Sequence, residues 1–220
     1  MQLLGSRKLK FVILRVHCGV LNILLVSCRS RIGAAMAVSI LFTGHMIDQP
    51  ARPKARFPSE LETAAAARIA TAIAPYATSE KGSVMGFASS AQGGDILFHE
   101  QCRAVQIPTT IVLPFAPEIF VQTSVSGIPG SDWERRFWDL WNTTSEARRE
   151  IMNLPQSEDA YSACNVHLLE RAQQHGAVHL IALWDGQQGD GPGGTADLVD
   201  RASVSNTPDI FTPADLASDQ

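Results

Sequence analysis

A chain of 220 residues with 45% hydrophobic and 18% charged side chains has enough apolar content to bury one good core, so one domain is expected. The four cysteines, Cys18, Cys28, Cys102 and Cys164, show no C-x-x-C spacing and no zinc-finger pairing with histidines, and they read as reduced thiols. The net charge of −4 is uneven: residues 1–35 hold six basic residues and no acidic one, leaving 12 basic against 22 acidic side chains in the rest, a net −10. An acidic body repels a polyanion, which argues against nucleic acid as a partner while allowing one small nucleotide held by backbone groups.

In residues 1–35, basic side chains precede the apolar stretch Phe11 to Cys28. Leu25-Val26-Ser27-Cys28 loosely matches the box at which bacterial lipoproteins are cut and lipidated. One reading is therefore a signal or membrane anchor through Cys28. Against it, Arg15 and His17 interrupt the apolar run, a central charge costing about 2.5 to 3.5 kcal/mol on insertion scales, and Arg29 and Arg31 follow the cut. The preferred reading is an extension from a start codon placed too early, ahead of a cytoplasmic domain spanning 36–202.

From Ala37 onward, strands alternate with helices. Val38 to Thr43 is a β-type run that stops at Gly44-His45. A proline- and arginine-rich loop, Met46 to Pro58, follows; its Arg52, Lys54 and Arg56 are either phosphate contacts or ordinary solvated charges. Ser59-Glu60-Leu61-Glu62 is a capping box, opening a helix with Leu61, Ala65, Ile69, Ile73 and Tyr76 on one face. Ser83 to Phe87 is the second strand, closed by the small-residue loop Ala88 to Asp95, after which Ile96 to Arg103 reads as a helix. Asp95 either caps that helix or meets a ligand; Gly93 and Gly94 favour the second, because paired glycines let backbone come close.

Thr109 to Leu113 is the third strand, ending at Pro114-Phe115, and Glu118 to Val125 reads as a helix. Ser131-Asp132-Trp133-Glu134 is a second capping box, before an aromatic stripe of Trp133, Phe137, Trp138 and Trp141 that reads as core packing. Thr143 to Leu154 is ambiguous and is expected to contain a short strand. Asp159 to His175 is helical, with Ala160, Ala163, Cys164 and Leu168 inward. Val178 to Trp184 is the next strand, broken at Asp185-Gly186 by a glycine-rich loop that leads through Gly193 and Gly194 to the helix Thr195 to Ala202. The proline, serine and aspartate content of 203–220 reads as a disordered tail.

This order predicts an α/β fold: a Rossmann-like, mainly parallel sheet sandwiched by helices. In such a sheet the carboxyl ends of the strands share one edge, where ligands bind. That edge collects Gly44, His45, Ser89, Ser90, Gly93, Gly94, Asp95, Pro114, Asp185, Gly186, Gly193, Gly194 and Thr195. A strand, a glycine loop and a helix N-terminus suit a phosphorylated ligand. The histidines form no H-x-x-x-H or H-E-x-x-H spacing, so no metal is expected, and there is neither a G-x-S-x-G elbow nor a GxxxxGK[ST] loop.

GHMID after the first strand, FASSAQGGDILFHE, IVLPF, and above all ALWDG with GDGPGGTAD resemble the bacterial SLOG-type Rossmannoid domains related to the DprA and LOG proteins. The likeness is greatest to the versions found beside cyclase and tetratricopeptide-repeat modules, and covers about three quarters of the chain, Met36 to about Ala202. It implies a domain that binds a nucleotide or nucleotide derivative, often in signalling. Matched position by position, Ser89, Gly93, Gly94 and Asp95 correspond to the second-loop motif, and Asp185, Gly186, Gly193, Gly194 and Thr195 to the last. The LOG enzymes, which cleave the bond between base and ribose phosphate, carry PGGxGTxxE. Here Pro192-Gly193-Gly194-Thr195 lacks the inserted glycine and no glutamate follows in register.

Two functions are therefore carried forward. The first is a non-catalytic binding module, with no cofactor other than the nucleotide-type ligand and with an effector or a second copy of the chain as partner. The second is a nucleoside-phosphate hydrolase using Asp95 or Glu100.

Overall fold

The computed structural model describes residues 37–80, 82–188, 192–203 and 208–218. The N-terminal stretch, with its anchor-or-extension alternatives, lies outside the described residues. The strands are β1 (Val38–Gly44), β2 (Val84–Ala88), β3 (Thr109–Leu113), β4 (Arg149–Ile151), β5 (Ala177–Leu183) and β6 (Asp209–Phe211). They form one parallel sheet in the order β4-β3-β2-β1-β5-β6. The helices are α1 (Glu62–Ile73), α2 (Gly94–Ala104), α3 (Pro117–Ser124), α4 (Trp133–Thr143), α5 (Glu158–His175), α6 (Thr195–Ala202) and α7 (Pro213–Ser218). The α/β, Rossmann-like expectation holds.

Side chains alternate across the sheet, as strand geometry requires. On one face Ile40, Phe42, Ala88, Ile111, Leu113, Ile181 and Leu183 pack with residues of α1, α2, α3, α4 and α7. On the other, Leu41, Phe87, Val112, Leu180 and Ala182 meet Cys164, Leu168 and Ala172 of α5 and Leu198, Val199 and Ala202 of α6. Ser39 faces α5 too, its hydroxyl donating to Ala172 O at 2.7 Å. The chain runs outward from β1 through β4 and then returns to β5 on the other side of β1, so the strand order reverses between β1 and β5. A crevice opens at the carboxyl ends of strands flanking such a reversal.

Three expectations are corrected. Neither capping box forms. Ser59–Leu61 is a 3-10 turn behind Pro58, with Leu61 N–H bonded to Pro58 O, and Glu62 instead accepts from Arg136 at 2.6 Å. Ser131 bonds Ile128 O, Asp132 pairs with Arg135, and Glu134 accepts from Ser126, so no side chain caps α4. The third correction concerns 203–220: within it, β6 extends the sheet beside β5, and α7 buries Leu216. Phe211, only 2% exposed, supplies the apolar anchor that the polar composition around it conceals.

The ambiguous stretch after Thr143 does hold a short edge strand, β4, and the aromatic stripe is core: Phe137 stacks on Trp141 and meets Trp138 edge-on. No helix among the described residues is long and apolar enough to cross a membrane.

Candidate functional site

At the β1–β5 reversal lies a cavity of about 490 Å³. Its floor is the exit of β1, Thr43 to His45, with Ser89, Ala91 and Asp95 from the loop and helix that follow β2. One wall is the last glycine loop, Pro192 to Thr195. Thr123 and Ser124 of α3 face it, with Tyr161 and Asn165 of α5. The loop after β1 closes the rim with Asp48, Gln49, Arg52 and Arg56.

Of the residues expected on this edge, Gly44, His45, Ser89, Asp95, Gly193, Gly194 and Thr195 line the cavity. Gly93 and Gly94 are packed beneath the β1 exit. Gly93 has φ +90, and a Cβ on it would stand 2.8 Å from both His45 O and Ile47 N; Gly94 donates its N–H to His45 O at 3.1 Å. The pair lets two backbone segments touch, so its immediate role is packing the floor. Pro114 accepts Leu154 N–H away from the cavity, and Asp185 borders a neighbouring recess with Arg52, Lys54 and Arg56. Gly186 turns at φ +76 with open space around it, and Ser90 is wholly buried. Glu100 is taken up elsewhere: both its oxygens bind the Arg136 guanidinium, at 2.9 and 2.6 Å, tying α2 to α4.

The last loop is held by α5. Gly193, at φ +80, lies so close to the backbone of Tyr161 and Ser162 that any Cβ would collide with them. Asn165 Nδ2 donates to Gly193 O at 2.9 Å and lies 3.3 Å from Gly194 O and 2.9 Å from Asp197 Oδ2. With Asp197 so occupied and also bound by Arg201, no side chain caps α6, and α2 begins at Gly93 equally uncapped. At α6 the leading N–H groups and the dipole end suit an anion, whereas at α2 the Gly94 N–H is taken by His45 O and the Ile96 N–H by Ala91 O. Asn165, Tyr161 and the α3 hydroxyls were not expected here. The available signal was a polar pair, Tyr161 and Asn165, four apart on the same helix as the inward Ala160 and Cys164.

Asp95 is 8% exposed, and burial pushes its carboxyl up to about 7, against the pull of the Ala91 and Gly44 N–H groups. Its Oδ2 accepts from Ala91 N–H at 3.3 Å, four residues back, so it ties the loop ahead of α2 and does not cap the helix. His99 pins the other end of that loop. Its Nε2 lies 2.6 Å from Ser89 O and its Nδ1 2.9 Å from Thr109 Oγ1. A carbonyl only accepts, so Nε2 carries the proton and the Thr109 hydroxyl donates to Nδ1. Burial lowers His99 to about 4, which keeps the ring neutral.

At the rim, His45 Nε2 accepts Asp185 N–H at 3.0 Å, and burial together with Arg56 lowers its pKa. Neutral His45 thus holds the end of β5 through its backbone. Asp185 Oδ1 lies 3.1 Å from the same nitrogen, a contact that becomes an ion pair when the ring is protonated. Burial works to raise Asp185, but Gln187 N–H, Arg56 and His45 outweigh it and hold the carboxylate low. Asp48 accepts the N–H groups of Arg56 and Phe57, at 2.8 and 2.9 Å, so the basic loop is folded back on itself. Among the described residues, no group of three or more histidine, cysteine or acidic side chains is arranged to hold a metal ion.

No protein-family model matches the chain, and a search of curated proteins finds no match. What the site can take therefore rests on its own chemistry: the uncapped N-terminus of α6, hydroxyl and amide groups opposite, and a carboxyl near neutrality.

Proposed function

We propose that this domain binds a nucleotide or nucleotide-derived ligand and holds it without turnover, as the resemblance to SLOG-type sensor domains implies. The observation that carries the reading is the uncapped start of α6, which with its glycine loop forms the wall of a cavity of about 490 Å³, within the size range of small-molecule sites. Phosphate lies at the last glycine loop, and Asp95 faces hydroxyl groups of the ligand. Calorimetry with mono-, di- and cyclic nucleotides tests binding. Gly193→Val should abolish it, since the added side chain meets α5 backbone; binding indifferent to that change removes the site.

Asp95 supports a second reading, cleavage of the N-glycosidic bond, because a buried carboxyl near neutral pKa suits a general acid. Glu100, locked in its ion pair, has no part in it. Chromatography of the same nucleotide mixtures decides: no free base is expected, and base released by wild type but not by Asp95→Asn would make the protein an enzyme. Glu100→Gln is the matched control, expected to leave binding unchanged.

A further inference from the structure

Among the described residues, four buried side-chain polar atoms lack a hydrogen-bond partner. Three of them, Ser90 Oγ and both amide atoms of Gln92, lie in the loop between β2 and α2. Buried polar groups are nearly always paired, because one left unpaired bears the whole penalty of leaving water. Three such atoms within three residues form a polar cluster for which the described residues supply no partner.

Gln92 is fully buried, but its surroundings belong to the cavity. Its N–H donates to Ser124 O at 2.9 Å, and Ser124, the preceding Ala91 and Gln49 all line the cavity. A Cβ built on Gly127 would stand 3.3 Å from Gln92 Nε2 and would collide with Gln49 Nε2. Both carboxamides therefore border Gly127, that of exposed Gln49 in the cavity wall and that of buried Gln92 outside its lining.

We propose that Gln92 reads the base of the bound nucleotide, with Gln49 leaving the Gly127 notch as the ligand enters. This rests on the nucleotide reading above and adds to it that the ligand is a nucleoside phosphate with a free base edge, not a sugar phosphate. A primary carboxamide sets donors beside an acceptor, the complement of adjacent acceptor and donor atoms on a base edge. The phosphate has no need of it, since the glycine loop ahead of α6 packs on the Tyr161 backbone, whereas the Tyr161 hydroxyl reaches Thr123 and Ser124 of α3.

Calorimetry on the full chain with ribose 5-phosphate and the common ribonucleoside 5′-monophosphates tests the assignment. Wild type should bind at least one nucleotide about tenfold tighter than ribose 5-phosphate. Gln92→Leu should bring that nucleotide to the ribose 5-phosphate level, with ribose 5-phosphate affinity unchanged and Tm equal or higher, because an unpaired amide is removed. A base preference that survives Gln92→Leu overturns the proposal, as does a parallel loss of ribose 5-phosphate binding.

If Gln92→Leu does not fold, Gln49→Ala decides. Uncovering Gln92 should tighten the preferred nucleotide by about threefold and leave ribose 5-phosphate alone; loss of the preference instead would make Gln49 the reader and overturn the assignment. Equal affinity of wild type for nucleotides and ribose 5-phosphate sinks the base reading and leaves the phosphate site standing. Binding of neither overturns the nucleotide function itself.

Discussion

Asp95 is where burial and chemistry meet most directly, and its titration gives a sign that can be measured. Its carboxyl holds a proton up to about pH 7 in the folded state, because burial penalises the anion, whereas an unfolded aspartate releases it near about pH 3.9. A group raised on folding stabilises the native state below the unfolded pKa. That contribution is lost as pH rises through the folded one, here between about pH 4 and 7, with a slope of up to about 1.4 kcal/mol per pH unit. His45, lowered on folding, acts oppositely as pH falls below its unfolded value of about 6.5, so the test needs a difference. Urea melts of wild type and Asp95→Asn across this range should show the variant gaining relative stability as pH rises, with a plateau above about pH 7. A pH-independent difference would mean that Asp95 is ionised throughout.

Between elements, the decisive contact is the one α5 makes with the last glycine loop. Asn165 gives its two amide hydrogens to three acceptors, Gly193 O, Gly194 O and Asp197 Oδ2, and so sets where α6 begins. Asn165→Leu should cost about 1 to 3 kcal/mol in urea melts, because those acceptors are left short of donors. It should also weaken the proposed nucleotide binding about tenfold by calorimetry, because the glycine loop ahead of α6 loses its register. Unchanged affinity in a destabilised variant would move the phosphate away from this loop. Hydrophobic alternation made the longer strands and the inward faces of the helices readable from sequence, and glycine clustering located the edge on which the cavity opens. What stayed hidden were contacts between distant segments. Ser59–Glu62 and Ser131–Glu134 have the residues of capping boxes, but Arg136, Arg135 and Ser126 compete for their side chains. Gly93 and Gly94 look like ligand glycines, and only the approach of the β1 exit shows that they pack backbone on backbone.

Across the whole molecule, the two flanks of the sheet are not equivalent, and the C-terminal one bears on the site. β6 pairs with Ile181 to Leu183, and Trp184 N–H donates to Phe211 O at 3.0 Å, so the last segment holds the end of β5 just where Asp185 turns toward His45 and Arg56. Arg68 of α1 completes the attachment, bonding Asp209 at 2.5 Å with its guanidinium 5.0 Å over the Phe211 ring. A polar composition suggested that 203–220 is a disordered tail; burial of Phe211 and Leu216 gives it a share of the core. Phe211→Ala should therefore destabilise by about 3 to 5 kcal/mol, the range for truncating a buried aromatic ring. A chain ending at Ser203 should melt less cooperatively, with the rim of the cavity loosened and nucleotide affinity reduced along with stability. A chain starting at Met36 should instead melt near the full-length temperature, since every strand among the described residues follows that residue. Comparing the two truncations by calorimetric melting separates the flanks: equal Tm for the chain ending at Ser203 and the full chain would show that β6 adds nothing to the sheet, whereas a lowered Tm confined to that truncation ties the edge strand to both the fold and its binding site.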